Sequence, residues 1–328
     1  MGSHQAVHFA QLLARLSTAL VEIYDNIGLN PKPVAGKCKN IMARIQRTLD
    51  REKINNVIDD IIVSGTNKLL LLDLSGVTFV EPYGMVLLLQ LIDRFEIGEI
   101  RYPRSRSAAT YLERAGFFDV AARYTNLPHD IKELKGQVPR KQNNQTMLTI
   151  TPIEYRQDAR AAVNIVNTQT RTILENELLY DADDVNDFIV ILSELLGNIP
   201  RHSKSYGYVC AQVYRLPHSE EKYASVCISD KGIGIRRSFE ESDYITIMMP
   251  DDEKALNVAV VKERSSKKDG GTGFKGIKEK IRKFNGTLYV RSGRADILIH
   301  PDGDFKISPR RSPFVGTQIE FKLPQRLG

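Results

Sequence analysis

The sequence predicts an α/β protein built as two successive units. Three observations carry this. The apolar run Asn67-Lys-Leu-Leu-Leu-Leu-Asp-Leu-Ser75 reads as a buried strand, and helix, strand and helix patterns follow it. The stretch 127–146 is polar, rich in Lys, Gln and Asn, and carries Pro128 and Pro139, which marks a linker. From Met147 onward strands and long helices alternate again. Alternation of strand and helix is the pattern of α/β folds.

Element by element, Leu12, Leu13, Leu16, Leu20 and Ile23 share one face at helical spacing. Pro31 and Pro33 break any helix there. The stretch 41–62 reads as a second helix, with Ile45, Leu49, Ile54 and Ile58 as its apolar stripe. Residues 1–65 are therefore expected to be a helical extension, packed on the first unit or part of it. The run from Asn67 lacks alternation and is bounded by Gly65 and Gly76, as suits a strand covered on both faces. A short strand segment is expected at 77–80, a helix at 84–95, a strand at 100–102 and a helix at 107–124. The first unit is thus set at 66–126 and the second at 147–324.

Composition is ordinary for a globular chain of 328 residues: 42% hydrophobic and 26% charged. The net charge of +6 is spread evenly, so a nucleic-acid partner is not indicated. Cys38, Cys210 and Cys227 are far apart in sequence and lack the spacing of a zinc site or a disulfide framework. A reducing, cytoplasmic setting is expected. No apolar run reaches the length of a membrane span. The opening Met1-Gly-Ser-His lacks signal-peptide character.

Four motifs follow in the second unit. In Ser193-Glu-Leu-Leu-Gly-Asn-Ile-Pro-Arg-His-Ser203, Glu194, Asn198 and His202 are four residues apart and fall on one helix face. Pro200 is expected to kink or end that helix. In Val226-Cys-Ile-Ser-Asp230, a strand ends in an acid, and Gly232 and Gly234 follow. The acid offers an oxygen to a donor such as an exocyclic amine, and the glycines let backbone approach a ligand. Gly270-Gly271-Thr272-Gly273-Phe274-Lys275-Gly276 runs into an amphipathic helix, a place where backbone N–H groups favour an anion. It is preceded by a polar stretch that suits a lid. Last, Phe314-Val-Gly-Thr317 enters a strand. Each motif alone also fits a plain helix face, turn or loop. No Walker A loop is present. The GxGxxG spacing at Gly271, Gly273 and Gly276 comes late in the unit with no strand directly before it, so it does not read as a Rossmann fingerprint.

In this order the four motifs resemble the GHKL superfamily of ATP-binding domains, over roughly 148–324. The resemblance implies a Bergerat fold, a mixed sheet covered by helices, binding ATP with Mg²⁺. It implies that Asn198 holds the Mg²⁺ and that Glu194 is the general base. It places His202 near the phosphates, Asp230 on the adenine amino group, and Gly232 and Gly234 beneath the base. Gly271, Thr272, Gly273, Phe274, Lys275 and Gly276 would close over the phosphates, with Lys275 adding a contact, and Thr317 would lie near adenine. Phe274 and Lys275 depart from the usual Leu and Gly. The stretch 296–313 looks like an insertion.

Leu72-Asp73-Leu-Ser-Gly-Val-Thr-Phe-Val-Glu81-Pro82-Tyr83-Gly84 resembles the core of STAS domains, the fold of anti-sigma-factor antagonists. The family's phosphorylated serine is replaced by Tyr83. The unit is therefore read first as an interaction module for another regulatory protein, and second as a phosphoacceptor at Tyr83. A homodimer is left open. The pairing resembles an anti-sigma-factor kinase and its antagonist in one chain. The leading expectation is a Mg-ATP-dependent regulatory switch with slow hydrolysis. The alternatives are a Ser/Thr-type protein kinase and an ATP sensor without turnover.

Overall fold

A computed structural model describes residues 41–125, 145–154, 158–202, 206–242, 248–265, 274 and 276–326. The described residues open with a strand–helix–strand–helix–strand run: β1 (Ile41–Leu49), α1 (Arg51–Val63), β2 (Lys68–Val80), α2 (Pro82–Arg94) and β3 (Glu96–Arg101). The three strands are parallel in the order β1-β2-β3, as helical crossovers require. Two helices close the unit, α3 (Arg106–Arg114) and α4 (Phe117–Tyr124).

The helix expected over 41–62 is instead a strand and a helix. Ile45 and Leu49 lie four apart, a spacing that satisfies both the helical and the strand period. The surrounding residues decide: Ala43 and Ile45 are buried while Met42, Arg44 and Gln46 are exposed, a period of two. Asp50 then starts α1, its side chain accepting from the Lys53 N–H at 2.9 Å. The segment 77–80 is the end of β2, paired to β1 through Val80.

Helix α2 begins with Pro82, whose missing N–H costs nothing at a helix start. Every residue from Pro82 to Ile92 is buried, so the helix is covered on all sides. One side rests on its own sheet. At Gly84 an added Cβ would lie 2.2 Å from the Leu49 carbonyl oxygen, so only glycine allows this approach. Gly84→Ala is expected to cost about 2–3 kcal/mol through overpacking, read as a lower midpoint in urea unfolding.

The other side of α2 packs on the second unit. That unit contains β4 (Met147–Ile153), α5 (Asp158–Thr172), α6 (Ala182–His202), β5 (Gly207–Arg215) and β6 (Lys222–Asp230). Then come α7 (Gly234–Glu240), α8 (Asp252–Leu256), α9 (Ile277–Lys283), β7 (Thr287–Ile299) and β8 (Phe305–Pro324). The sheet order is β4-β5-β6-β8-β7, and every pairing is antiparallel rather than mixed. The cause is parity. Two helices, α5 and α6, run out and back between β4 and β5, so β5 returns against β4. Helix α6 passes through Pro200 and ends at His202. So close to the end, Pro200 removes one backbone bond without terminating the helix at its own position.

One face of this sheet packs against α5, α6 and α9 through Val166, Phe188, Leu192, Leu196, Ile281 and Phe321. The other face presents Tyr208, Cys210, Cys227, Tyr289 and Phe314 to the core of the first unit. The two units therefore share a hydrophobic core. The apparent insertion at 296–313 is the outer half of the β7–β8 hairpin, with Ile297 opposite Ile307. It is clamped to α1 by a buried polar network. Arg291 donates to Asn55 Oδ1 and Asp59 Oδ1, both at 2.8 Å. Asp59 also accepts from Arg310 and from the Ser312 hydroxyl, both at 2.7 Å. Among the described residues no helix is long and apolar enough to cross a membrane.

Candidate functional site

The central strand β6 ends in Asp230, at the sheet end where β5 begins. Gly207 and Asp230 are register partners there. The Asp230 carboxylate accepts the N–H of Gly232 at 2.7 Å and also hydrogen-bonds the backbone N–H of Thr317. Burial pushes this carboxyl up to about 6, with those two N–H groups pulling the other way. Among the described residues no cation is paired with it. A carboxylate raised by its surroundings beside a glycine-rich turn is a mark of a ligand site more than of a structural ion pair.

Thr317 is brought there by strand pairing. It lies opposite Ser292 of β7, and its neighbour Gln318 pairs with Ser229 of β6. Gly316 has φ +77, and an added Cβ would lie 2.0 Å from the Asp230 carbonyl oxygen. Both the turn and the close approach demand glycine. Gly234, at φ +75, opens α7. Ser292 locks this start: its Oγ accepts the Ile235 N–H at 2.9 Å and reaches the Gly316 carbonyl at 3.4 Å. Asp230, Gly232, Gly234 and Thr317 thus form one interlocked turn.

Glu194 and Asn198 lie one turn apart on α6, beside the buried stripe of Leu192, Leu195, Leu196 and Ile199. Ile199 leans on the start of β5, where a Cβ on Gly207 would lie 2.9 Å from its Cδ1. The turn of α6 that carries Asn198 therefore lies at the sheet end where Asp230 sits. The backbone of His202 closes the same helix, and its side chain lies outside the described residues. Gly271, Thr272, Gly273 and Lys275 also lie outside them. Phe274 packs half-buried against the core, and Gly276 precedes α9 at φ +68. Helix α9 is tied to α6 by Lys280–Asp187 at 2.5 Å and Lys283–Asp184 at 2.6 Å.

Among the described residues no three His, Cys, Asp or Glu side chains converge as a metal site. On α6, Glu194 and Asn198 carry side-chain oxygens, the donor type that a hard cation takes.

Tyr83 is 0% exposed. Its hydroxyl bonds to Asn55 at 3.3 Å and its ring meets Tyr289 edge-on at 5.6 Å. Burial pushes its phenol well above the ordinary tyrosine range. It is closed to a phosphoryl donor in this conformation.

Three residues at the site carry no signal in sequence. Ser292 sits in an ordinary strand, Gln90 in an apolar helix, and Asp93 at that helix's end. Contacts between the two units place Gln90 and Asp93 behind Asp230, and such contacts have no local pattern. Comparison with protein-family models finds no matching family, and comparison with curated proteins finds no matching relative.

Proposed function

We propose that the second unit is a GHKL-type Mg-ATP site and that the chain works as an ATP-driven regulatory switch, its first unit serving as a STAS-like interaction module. The observation that carries this is the Asp230 turn. A carboxylate is fixed by two backbone N–H groups at a strand end, next to Gly232, Gly234 and Thr317 and beside the helix of Glu194 and Asn198. Such a carboxylate accepts from an exocyclic amine, which selects adenine over a base with a carbonyl there. Bound Mg-ATP would supply the phosphoryl group to be transferred or hydrolysed. Asn198 would hold the cation through its amide oxygen, and Glu194 would take the proton of an attacking water.

The shared core supports a switch over two independent modules. A change at the nucleotide site that moves α6 or β6 acts on a sheet whose far face is α2. Phosphorylation of Tyr83 is not part of this reading, because that hydroxyl is sealed between the units.

The test follows γ-labelled ATP with Mg²⁺ on the wild type and on Glu194→Ala. The wild type is expected to release free phosphate. The variant is expected to keep ATP affinity within a few-fold and to lose turnover by about a hundredfold. Wild-type turnover in Glu194→Ala removes Glu194 as the base. Label retained on protein replaces the switch by the kinase reading, and absence of ATP binding sinks both.

A further inference from the structure

Helix α2 belongs to the first unit, yet it grips the main chain of the site turn from behind. Its inner residues Leu87, Leu88, Leu89, Leu91 and Ile92 are at most 1% exposed. Among them stands Gln90, also 1% exposed. Its Nε2 donates to the Asp230 carbonyl oxygen at 3.1 Å, and its Oε1 has no partner among the described residues. A half-satisfied amide inside an apolar core is a cost to folding that a leucine or methionine would avoid. Stability therefore does not account for glutamine at this position, whereas the bond to Asp230 does.

A second contact comes from the same face of α2, three residues on. Asp93 forms an ion pair with Lys231, the residue after Asp230. Lys231 also donates to the Tyr206 hydroxyl at 3.0 Å, and its backbone N–H bonds to the Tyr206 carbonyl at 3.3 Å. So α2 holds the residues on both sides of the 230–231 peptide bond. The Asp230 carboxylate, fastened to the N–H of Gly232, swings if that peptide turns. A ligand-facing group held loosely by an ångström loses much of its selectivity.

We propose that Gln90 and Asp93 are positioning residues for Asp230, so that the first unit supplies the back wall of the nucleotide site and sets its base selectivity. This rests on the nucleotide reading above. It also names a route between the units: anything that shifts α2, such as a partner bound to the first unit, changes the aim of Asp230.

The test uses the full chain. Mg-ATP and Mg-GTP are titrated by calorimetry into wild type, Gln90→Met and Asp93→Asn, with thermal unfolding of each beside them. Gln90→Met is expected to melt at or above the wild-type temperature. Its Kd for ATP is expected to rise about tenfold, and its preference for ATP over GTP to fall by a similar factor. A merely structural role would lower the melting temperature and leave the ATP/GTP ratio alone. Asp93→Asn keeps the shape and lies nearer the surface. It is expected to shift the same ratio in the same direction and decides the matter if Gln90→Met does not fold. Wild-type affinity and selectivity in the folded variants overturn the positioning role while leaving the nucleotide site standing. No saturable binding of either nucleotide to the wild type overturns the nucleotide reading, and this inference with it.

Discussion

Asp59→Ala is expected to destabilise the protein by about 3–5 kcal/mol, the range for breaking a buried ion pair from one side. Asp59 is 1% exposed and takes hydrogen bonds from Arg291, Arg310 and Ser312. Arg291 is 0% exposed and cannot shed its charge. Removing Asp59 leaves that guanidinium desolvated, with Asn55 Oδ1 and the Ser312 carbonyl as its remaining acceptors among the described residues. The network also joins α1 to the β7–β8 hairpin, so the loss falls on the contact between the units. Urea unfolding measures it as a drop in the midpoint. Asp59→Leu paired with Arg291→Met should recover part of the loss, because the fully buried charges leave together while Arg310 keeps Asp296 at 3.5 Å. A loss below about 1 kcal/mol in Asp59→Ala would show that water or a rearranged Arg310 screens the site, and that the network does not hold the units together.

That network shows where sequence reasoning stops. Asp59 and Arg291 are 232 positions apart, and nothing local distinguishes either from a surface charge. The stretch 296–313 reads as an insertion, yet in the fold its Arg310 pairs with Asp59 and its Ser312 is buried. By contrast, the strand at Leu69–Leu74 (buried except for Leu70, which is 51% exposed), the helix of Glu194 and Asn198, and the acid-plus-glycine end of β6 were all legible. Each has its own period or punctuation within a dozen residues. Strand β1 was misread because Ile45 and Leu49 alone fit two periods. The gathering of Asp230, Gly234, Ser292 and Thr317 depends on β8 lying between β6 and β7, a sheet order that no local pattern encodes.

Asp230→Asn is expected to separate binding from stability more sharply than any other substitution in this chain. The amide presents a donor where the carboxylate presented an acceptor, so ATP affinity should fall by about a hundredfold or more. Stability should move the other way. The folded protein raises the Asp230 pKa from 3.8 to about 6. Well below pH 3.8 the carboxyl is neutral in both folded and unfolded chains, and its shift costs nothing. As pH rises through about 6, the unfolded chain ionises more readily than the folded one, and stability is lost. Above that pH the loss is complete, at about 2–3 kcal/mol from the size of the shift. Asparagine does not ionise, so the variant escapes it. The two proteins should therefore converge only below pH 3.8, with the variant the more stable at pH 7. A variant less stable than wild type at pH 7 would mean that the Gly232 and Thr317 contacts outweigh desolvation and that Asp230 is a structural cap. A variant more stable at pH 7 and unable to hold ATP would show a charge that folding disfavours and that ligand binding requires.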